Sequence, residues 1–407
     1  MRKSRLLAAT VLATPLFVQA MGAALSQQAQ QQQPQQSQQS QKPQQQNAAA
    51  DVLKNIKPVT DDMLKNPPAG DWLMWRRTYN GWGYSPLDQI NKSNVKNLGV
   101  AWTWSLTAGA TEATPIVHDG VLYINNYADK VQALNAATGD LIWEYNRNLP
   151  QRLAAAGGNP LSKRNMAIYE DKLIFATSDV HLLALDLKTG KIVWDHTTDN
   201  WENGWRYTGG PFVAGGKILQ GMTGCGNAQP GGCYITAHDP KNGNEVWRFY
   251  TIARPNEPGG DTWNGLPLES RFGASAWNSG SYDPETNTVF WGVGQPYPWI
   301  SEMRGTFPPK AGQKTNALYS DSTLALDVNT GKLKWHYQHL QDDTWDLDYA
   351  YERILVDIPI DGQTRKAMVT VGKPGIIEVL DRTNGNWFWG RDTVYQNVVK
   401  SIDPKTC

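Results

Sequence analysis

Five stretches of the chain share one pattern, and that pattern constrains the fold more than any other feature: Ala133-LNAATGDLI-Trp143, Ala184-LDLKTGKIV-Trp194, Ala237-HDPKNGNEV-Trp247, Ala325-LDVNTGKLK-Trp335 and Val379-LDRTNGNWF-Trp389. Each reads as a short apolar strand, a turn rich in Asp, Asn and Thr, a Gly, and a second strand that ends in Trp. That is a β-hairpin. Gly supplies the positive φ of the turn, an Asp or Asn side chain bonds the turn's own backbone, and the indole packs on a neighbouring unit. The turn glycines fall at 139, 190, 243, 331 and 385, at intervals of 51, 53, 88 and 54 residues. The long interval reads as two repeats, with Ser281-YDPETNTVF-Trp291 inside it and Asn287 at the Gly position, because Asn tolerates left-handed backbone. Six hairpins, one per four-stranded sheet of roughly 45 residues, predict an all-β propeller. Most of the 18 Trp residues are thereby assigned to docking between sheets. Thr114-PIVHDGVLYI-Asn125 and Gly210-PFVAGGKILQ-Gly221 predict inner hairpins, and Gly99-VAWTWS-Leu106 predicts a further strand.

Ahead of the repeats, Arg2, Lys3 and Arg5 precede an apolar run from Leu6 to Val18 and small residues around Ala20 to Ser26, which predicts an export signal over residues 1–26. The run is too short to span a bilayer, so the mature chain is expected to be periplasmic and without a membrane span. Residues 27–50 are nearly all Gln, Ser, Pro and Ala and predict a disordered linker, which leaves 51–407 as the propeller domain. A formal net charge of zero gives no electrostatic reason to expect nucleic acid as a partner. With three cysteines the chain is no disulfide scaffold; Cys225 and Cys233 either close a short loop or are two separate buried thiols. The sequence holds no CxxCH haem site, Walker A loop, HExxH, EF-hand loop or Gly-rich dinucleotide fingerprint.

The stretch that suits chemistry is Trp345-Asp346-Leu347-Asp348, reached through Gln341-Asp342-Asp343-Thr344. Two carboxylates at i and i+2 on an irregular segment can share a cation or raise one another's proton affinity. For Asp348 the alternative is a turn acid bonded to backbone.

From about Gly70 onward the chain resembles the quinoprotein alcohol dehydrogenases, on Trp75-RRTYNGWGYSPLDQIN-Lys92, Glu112-ATP-Ile116, Tyr207-TGGP-Phe212, Asp261-TW-Asn264, Gly292-VGQPYPW-Ile300, Trp345-DLD and Val371-GKPGIIEVLDRTNG. The resemblance implies an eight-bladed propeller with about six blades recognisable here. Because the sequence stops at Ser401-IDPKT-Cys407, the C-terminal blades are expected to be missing and the chain incomplete. It implies pyrroloquinoline quinone as cofactor, with calcium or a lanthanide ion. It also implies roles: Trp277 as the floor on which the quinone stacks, Glu112, Arg164, Thr208 and Thr223 at its edges, Lys373 beside its reactive carbonyls, Asp346 as general base and metal ligand, and Asp348 as a second metal-binding acid. The chain departs from the family at two metal positions. A Glu is replaced within Thr223-GCGNAQPGG-Cys233, where Asn227 is the nearest side-chain oxygen, and an Asn is replaced by Gln295. An adjacent cysteine pair is also absent, Gly158 and Asn159 standing in its place.

The function so implied is oxidation of an alcohol, polyol or aldehyde by hydride transfer to metal-bound quinone. Asp346 would take the proton, and electrons would leave to a separate c-type cytochrome or similar acceptor. The second reading is a non-catalytic or truncated propeller acting as a periplasmic scaffold or binding module, which the substituted metal positions favour.

Overall fold

Each repeat closes a four-stranded antiparallel sheet in the computed structural model, which describes residues 51–158, 161–226 and 229–403. The predicted export signal (1–26), the Gln-rich linker (27–50), Asn159 and the candidate ligand Asn227 lie outside the described residues. The first sheet runs Ile116–His118, Val121–Asn126, Lys130–Asn135, Leu141–Asn146, and the second Ala167–Tyr169, Lys172–Ala176, His181–Asp186, Ile192–Thr197. The third runs Phe212–Ala214, Lys217–Gly221, Tyr234–His238, Glu245–Tyr250. The fourth is Ser281–Asp283, Thr288–Gly292, Ser322–Asp327, Leu333–Gln338, and the fifth Ile354–Ile360, Gln363–Val371, Ile376–Asp381, Trp387–Asp392. Strands are paired in sequence order in every one, the all-β arrangement of a propeller blade.

The two ends of the sequence repeat are cross-strand partners: Ala133 faces Trp143, Ala184 faces Trp194, Ala237 faces Trp247, Ala325 faces Trp335 and Val379 faces Trp389. A register shift follows that pair in each sheet, so the extra residue of the turn is absorbed at the same place. The first four of these indoles each lie over the turn glycine of the next sheet. A Cβ at Gly190 would meet the Trp143 ring at 2.5 Å, at Gly243 the Trp194 ring at 2.7 Å, at Gly331 the Trp247 ring at 2.5 Å, and at Gly385 the Trp335 ring at 2.6 Å. Indole N–H groups of Trp143, Trp194 and Trp247 donate to the carbonyls of Leu187, Pro240 and Val328, which fixes the angle of docking. Gly190→Ala combines a positive φ of 67° with this clash, and is expected to cost about 2 to 4 kcal/mol. Gly362→Ala, with a φ of 74° but open space around it, should cost only about 1 kcal/mol. Denaturant midpoints of the two variants separate the docking contribution from the backbone contribution.

Two sequence expectations are corrected. Ser281–Trp291 does not close a sixth sheet: it is the first hairpin of the sheet whose last hairpin is Ala325–Trp335, so the described residues form five four-stranded sheets. Asn287 does take the left-handed turn, with φ 52°. The 88-residue interval is long because residues 293–321 intervene within the sheet, carrying a short helix at Ser301–Arg304 and a strand, Pro296–Tyr297, that pairs with Phe272–Gly273 from the connection ahead of the sheet. Residues 99–106 form no strand, having no paired neighbour among the described residues. Trp102 nevertheless does what the terminal Trp of a sheet does, its indole lying against Gly139 and donating to the Ala136 carbonyl at 3.1 Å.

The N-terminal segment is pinned to the first sheet through His118. Its Nδ1 lies 2.8 Å from Asp71 Oδ2 and its Nε2 2.7 Å from the Lys57 carbonyl, while Asp119 accepts from Lys57 N–H at 3.0 Å. Asp71, His118 and Asp119 are close enough to share a cation, but acceptors already fill both ring nitrogens. Burial alone would lower the His118 pKa; the bonds to Asp71 and to the Lys57 carbonyl outweigh it and raise the pKa above its ordinary value. The folded state therefore holds this proton more tightly than the unfolded chain. The clamp's contribution is complete below the unfolded pKa of about 6.5 and is lost as pH rises from there through the folded pKa. Unfolding midpoints measured across that window should fall for the wild type and stay flat for His118→Asn. No helix among the described residues is long and apolar enough to cross a membrane.

Candidate active site

Antiparallel order puts the approach to the first strand, the connection between the second and third strands, and the exit from the fourth at the same end of every sheet. The candidate residues all come from those connections. Glu112, Arg164, Thr208 and Trp277 precede the first strands of sheets one to four, and Thr223, Gln295 and Lys373 lie between second and third strands of sheets three to five. Asp346 and Asp348 lie between the fourth and fifth sheets.

At that end most of these side chains form one connected set. Glu112 Oε1 pairs with Arg164 Nη2 at 3.0 Å, and Arg164 Nη1 donates to the Thr208 carbonyl at 3.2 Å. The Arg164 guanidinium stands 4.9 Å from the centre of the Trp277 ring, and Tyr351 meets the same ring edge-on at 5.3 Å. Trp277 Nε1 donates to Asp348 Oδ1 at 3.4 Å, as does Gln295 N. Lys373 Nζ then joins Asp348 Oδ2 at 2.8 Å, Asp346 Oδ2 at 3.1 Å and the Asp346 carbonyl at 2.8 Å. The Trp277 segment is held by backbone packing: Ala276 N–H donates to the Met222 carbonyl, and a Cβ at Gly209 would come within 2.9 Å of the Trp277 carbonyl. Thr223 follows Met222 and pairs its backbone with Arg206, so it reaches the set through the chain rather than through its hydroxyl.

The four aspartates of the 342–348 segment divide the work. Asp342 pairs with Arg304 at 2.5 Å and accepts from Thr306. Asp343, buried, accepts from Trp345 N–H at 2.7 Å and Leu347 N–H at 2.6 Å, which makes it the turn acid. Asp346 sits between those two bonds with a φ of 63°, an uncommon conformation that the flanking bonds enforce. Asp348, 5% exposed, faces inward to Trp277 and Lys373. Burial pushes its carboxyl up, Lys373 opposes that, and Asp346 adds to the rise. Burial alone would lower Lys373, but the two carboxylates outweigh it and hold the ammonium above the ordinary lysine range. Sequence reasoning assigned no role to Asp343 or Tyr351, whose residue types are common in any turn or strand end.

The set fits a flat, multiply anionic ring: an indole face, a guanidinium and an ammonium are joined in one network. Gln295 is buried, and its Oε1 has no hydrogen-bond partner. A hard cation takes oxygen ligands, and Asp346, Asp348 and Gln295 offer them. Among the described residues no third carboxylate, His or Cys joins the two aspartates, the group of three such ligands lying at Asp71, His118 and Asp119. Cys225 and Cys233 are disulfide-bonded, eight residues apart, and close the loop that follows Thr223.

Comparison with known proteins gives the same direction. The family model described as "PQQ: Glucose/ethanol/alcohol dehydrogenase, beta-propeller domain" matches residues 72–398. The dehydrogenase subunit of a quinone alcohol dehydrogenase from Gluconobacter oxydans is 34% identical, over 83% of this chain and 46% of the relative. A quinohemoprotein alcohol dehydrogenase from Comamonas testosteroni is 35% identical, over 88% of this chain and 52% of the relative. The solved structure of the Comamonas protein superposes with a TM-score of 0.77 at 32% identity, covering 88% of this chain and 54% of that one. A europium-containing methanol dehydrogenase superposes with a TM-score of 0.74 at 27% identity, covering 84% and 62%. The chain spans about half the length of the curated relatives it matches.

Proposed function

The chain belongs to the pyrroloquinoline-quinone-dependent alcohol dehydrogenase family, and from that premise we propose that it provides the active site of a periplasmic enzyme oxidising a small alcohol, polyol or aldehyde. The observation that carries this reading is the unbroken chain of contacts Glu112, Arg164, Trp277, Asp348, Lys373, Asp346 at one end of the sheets. A scaffold has no use for two adjacent carboxylates, one of them buried, arranged around an indole and one lysine.

When bound, the quinone supplies a hydride-accepting carbonyl, and calcium or a lanthanide supplies Lewis acidity there. Trp277 provides the floor, and Arg164, itself oriented by Glu112 and Thr208, provides charge for the ring's acidic edge. Asp346, Asp348 and Gln295 would hold the metal. Asp346 takes the alcohol's hydroxyl proton on its carboxylate, which makes the carbinol carbon a better hydride donor. Asp348, its carboxyl raised by burial, holds Trp277 and Lys373 in place rather than acting as the base. Electrons are expected to pass to a separate c-type cytochrome or similar acceptor.

The test is dye reduction by purified protein loaded with quinone and either calcium or a lanthanide, across a panel of primary, secondary and polyhydric alcohols. Turnover that requires both quinone and metal supports the reading. Quinone uptake without turnover on any alcohol would favour the binding-module alternative.

A further inference from the structure

Tyr349, which follows Asp348 directly, is buried, and its ring rests on His339. The tyrosine ring and the imidazole lie parallel, with centroids 4.5 Å apart and planes 4° apart, and the same ring presses on Gly372, where a Cβ would meet it at 2.6 Å. Gly372 precedes Lys373, whose N–H donates to the Asp348 carbonyl at 3.3 Å. One aromatic ring thus spaces the aspartate segment from the lysine connection. We infer that His339 is a positioning residue for this site: anchored on both ring nitrogens, it offers the fixed face that seats Tyr349 and so sets where Asp346, Asp348 and Lys373 stand. The role rests on the proposed active site and adds to it a determinant that lies behind it.

The imidazole is held more firmly than packing alone would require. Its Nδ1 lies 2.5 Å from Glu378 Oε2, its Nε2 lies 2.8 Å from Thr323 Oγ1, and the His339 N–H donates to the Asp321 carbonyl at 2.9 Å. Neither the His339 nor the Glu378 side chain is exposed, so water cannot replace these bonds. The Tyr337 hydroxyl donates to the other Glu378 oxygen at 3.0 Å. Burial pushes the His339 pKa down, Glu378 only partly offsets it, and the ring is neutral. With Nδ1–H donating to Glu378 and Nε2 accepting from the Thr323 hydroxyl, none of the three groups lacks a partner. The same hydroxyl accepts from Arg353 Nε at 3.0 Å, and Arg353, also buried, donates to the Tyr351 carbonyl at 2.5 Å. Tyr351 is the residue that meets Trp277 edge-on. His339 therefore braces the acids through Tyr349 and the floor through Thr323, Arg353 and Tyr351.

The test compares Tyr349→Phe, Tyr349→Leu and His339→Gln with the wild type. Tyr349→Phe keeps the stacked ring and should match it. Tyr349→Leu removes the stacked ring and leaves the bonds of His339 to Glu378 and Thr323 in place, whereas His339→Gln keeps a polar tip and removes the flat face. In these last two, kcat per bound quinone at saturating metal should fall about tenfold to 10²-fold, the scale of moving reacting groups by up to an ångström, with the KM for alcohol within about twofold of wild type. A second readout uses quinone-free protein: hydrogen exchange of the Lys373 amide should accelerate in both, while amides of the strand Lys172–Ala176 in the second sheet exchange at the wild-type rate. Wild-type kcat per bound quinone in either Tyr349→Leu or His339→Gln overturns the role, and so does exchange that accelerates equally in the second sheet, the mark of a merely structural contact. A wild type that takes up no quinone overturns it from the other side. Local acceleration at Lys373 then identifies the proposed function as what failed, since the stack still holds the segment.

Discussion

Asp346→Asn is expected to lower quinone-dependent turnover by about 10³-fold while leaving quinone uptake largely intact. The amide keeps the shape of the carboxylate and can still accept from Lys373, so the local fold survives. What it loses is the proton acceptor and one negative charge. Arg164, Glu112, Thr208 and Trp277 make no contact with Asp346 that the substitution would break, so the ring's floor and edge remain. The metal loses a carboxylate ligand, so the assay belongs at saturating metal, with quinone occupancy read from absorbance in the same samples. Full activity at full occupancy would remove Asp346 from the base's role and pass it to Asp348.

Asp343→Ala is expected to damage stability and chemistry together. Its two buried oxygens accept from Trp345 and Leu347 N–H, and alanine removes both acceptors on either side of Asp346. Each lost bond to a charged acceptor is worth about 1.5 to 3 kcal/mol, so a loss of about 3 kcal/mol or more is expected in denaturant unfolding. Asp346 holds its φ of 63° between those flanking bonds. Once released, the base should drift by an ångström or so, which costs about 10²-fold in turnover even where the variant remains folded. Asp343→Asn retains one acceptor and should fall between. A turn acid without this role would change stability and leave turnover per folded molecule unaltered.

The hairpins were legible because their determinants lie within eleven residues: a left-handed Gly, the Asp or Asn that bonds the turn, and the Trp opposite an Ala or Val. The assignment of Ser281–Trp291 failed for a physical reason. Any tight hairpin needs a left-handed turn residue, and Asn287 met that need, but only the last hairpin of a sheet presents its turn glycine to the preceding sheet's indole. Trp291 is fully buried within its own sheet's packing, whereas Trp143, Trp194 and Trp247 reach across to the next. Residues 99–106 carried a strand's composition, and Trp102 docks as expected, yet strand pairing depends on a neighbour that local sequence does not reveal. The site was legible as residue types and became a site only through topology, since Glu112 and Lys373 are joined by connections from every sheet. The different tasks of Asp342, Asp343, Asp346 and Asp348 were not legible, because what distinguishes them is which partner each carboxylate faces.

The account stands on Trp277 being the floor of a quinone site, and titrating pyrroloquinoline quinone into the purified chain with calcium or lanthanum present tests it most directly. The account predicts saturable uptake of one quinone per chain with quenching of indole fluorescence, weakened about tenfold or more in Trp277→Ala. Uptake by Trp277→Ala equal to that of the wild type, or no uptake by the wild type with either metal, would contradict it.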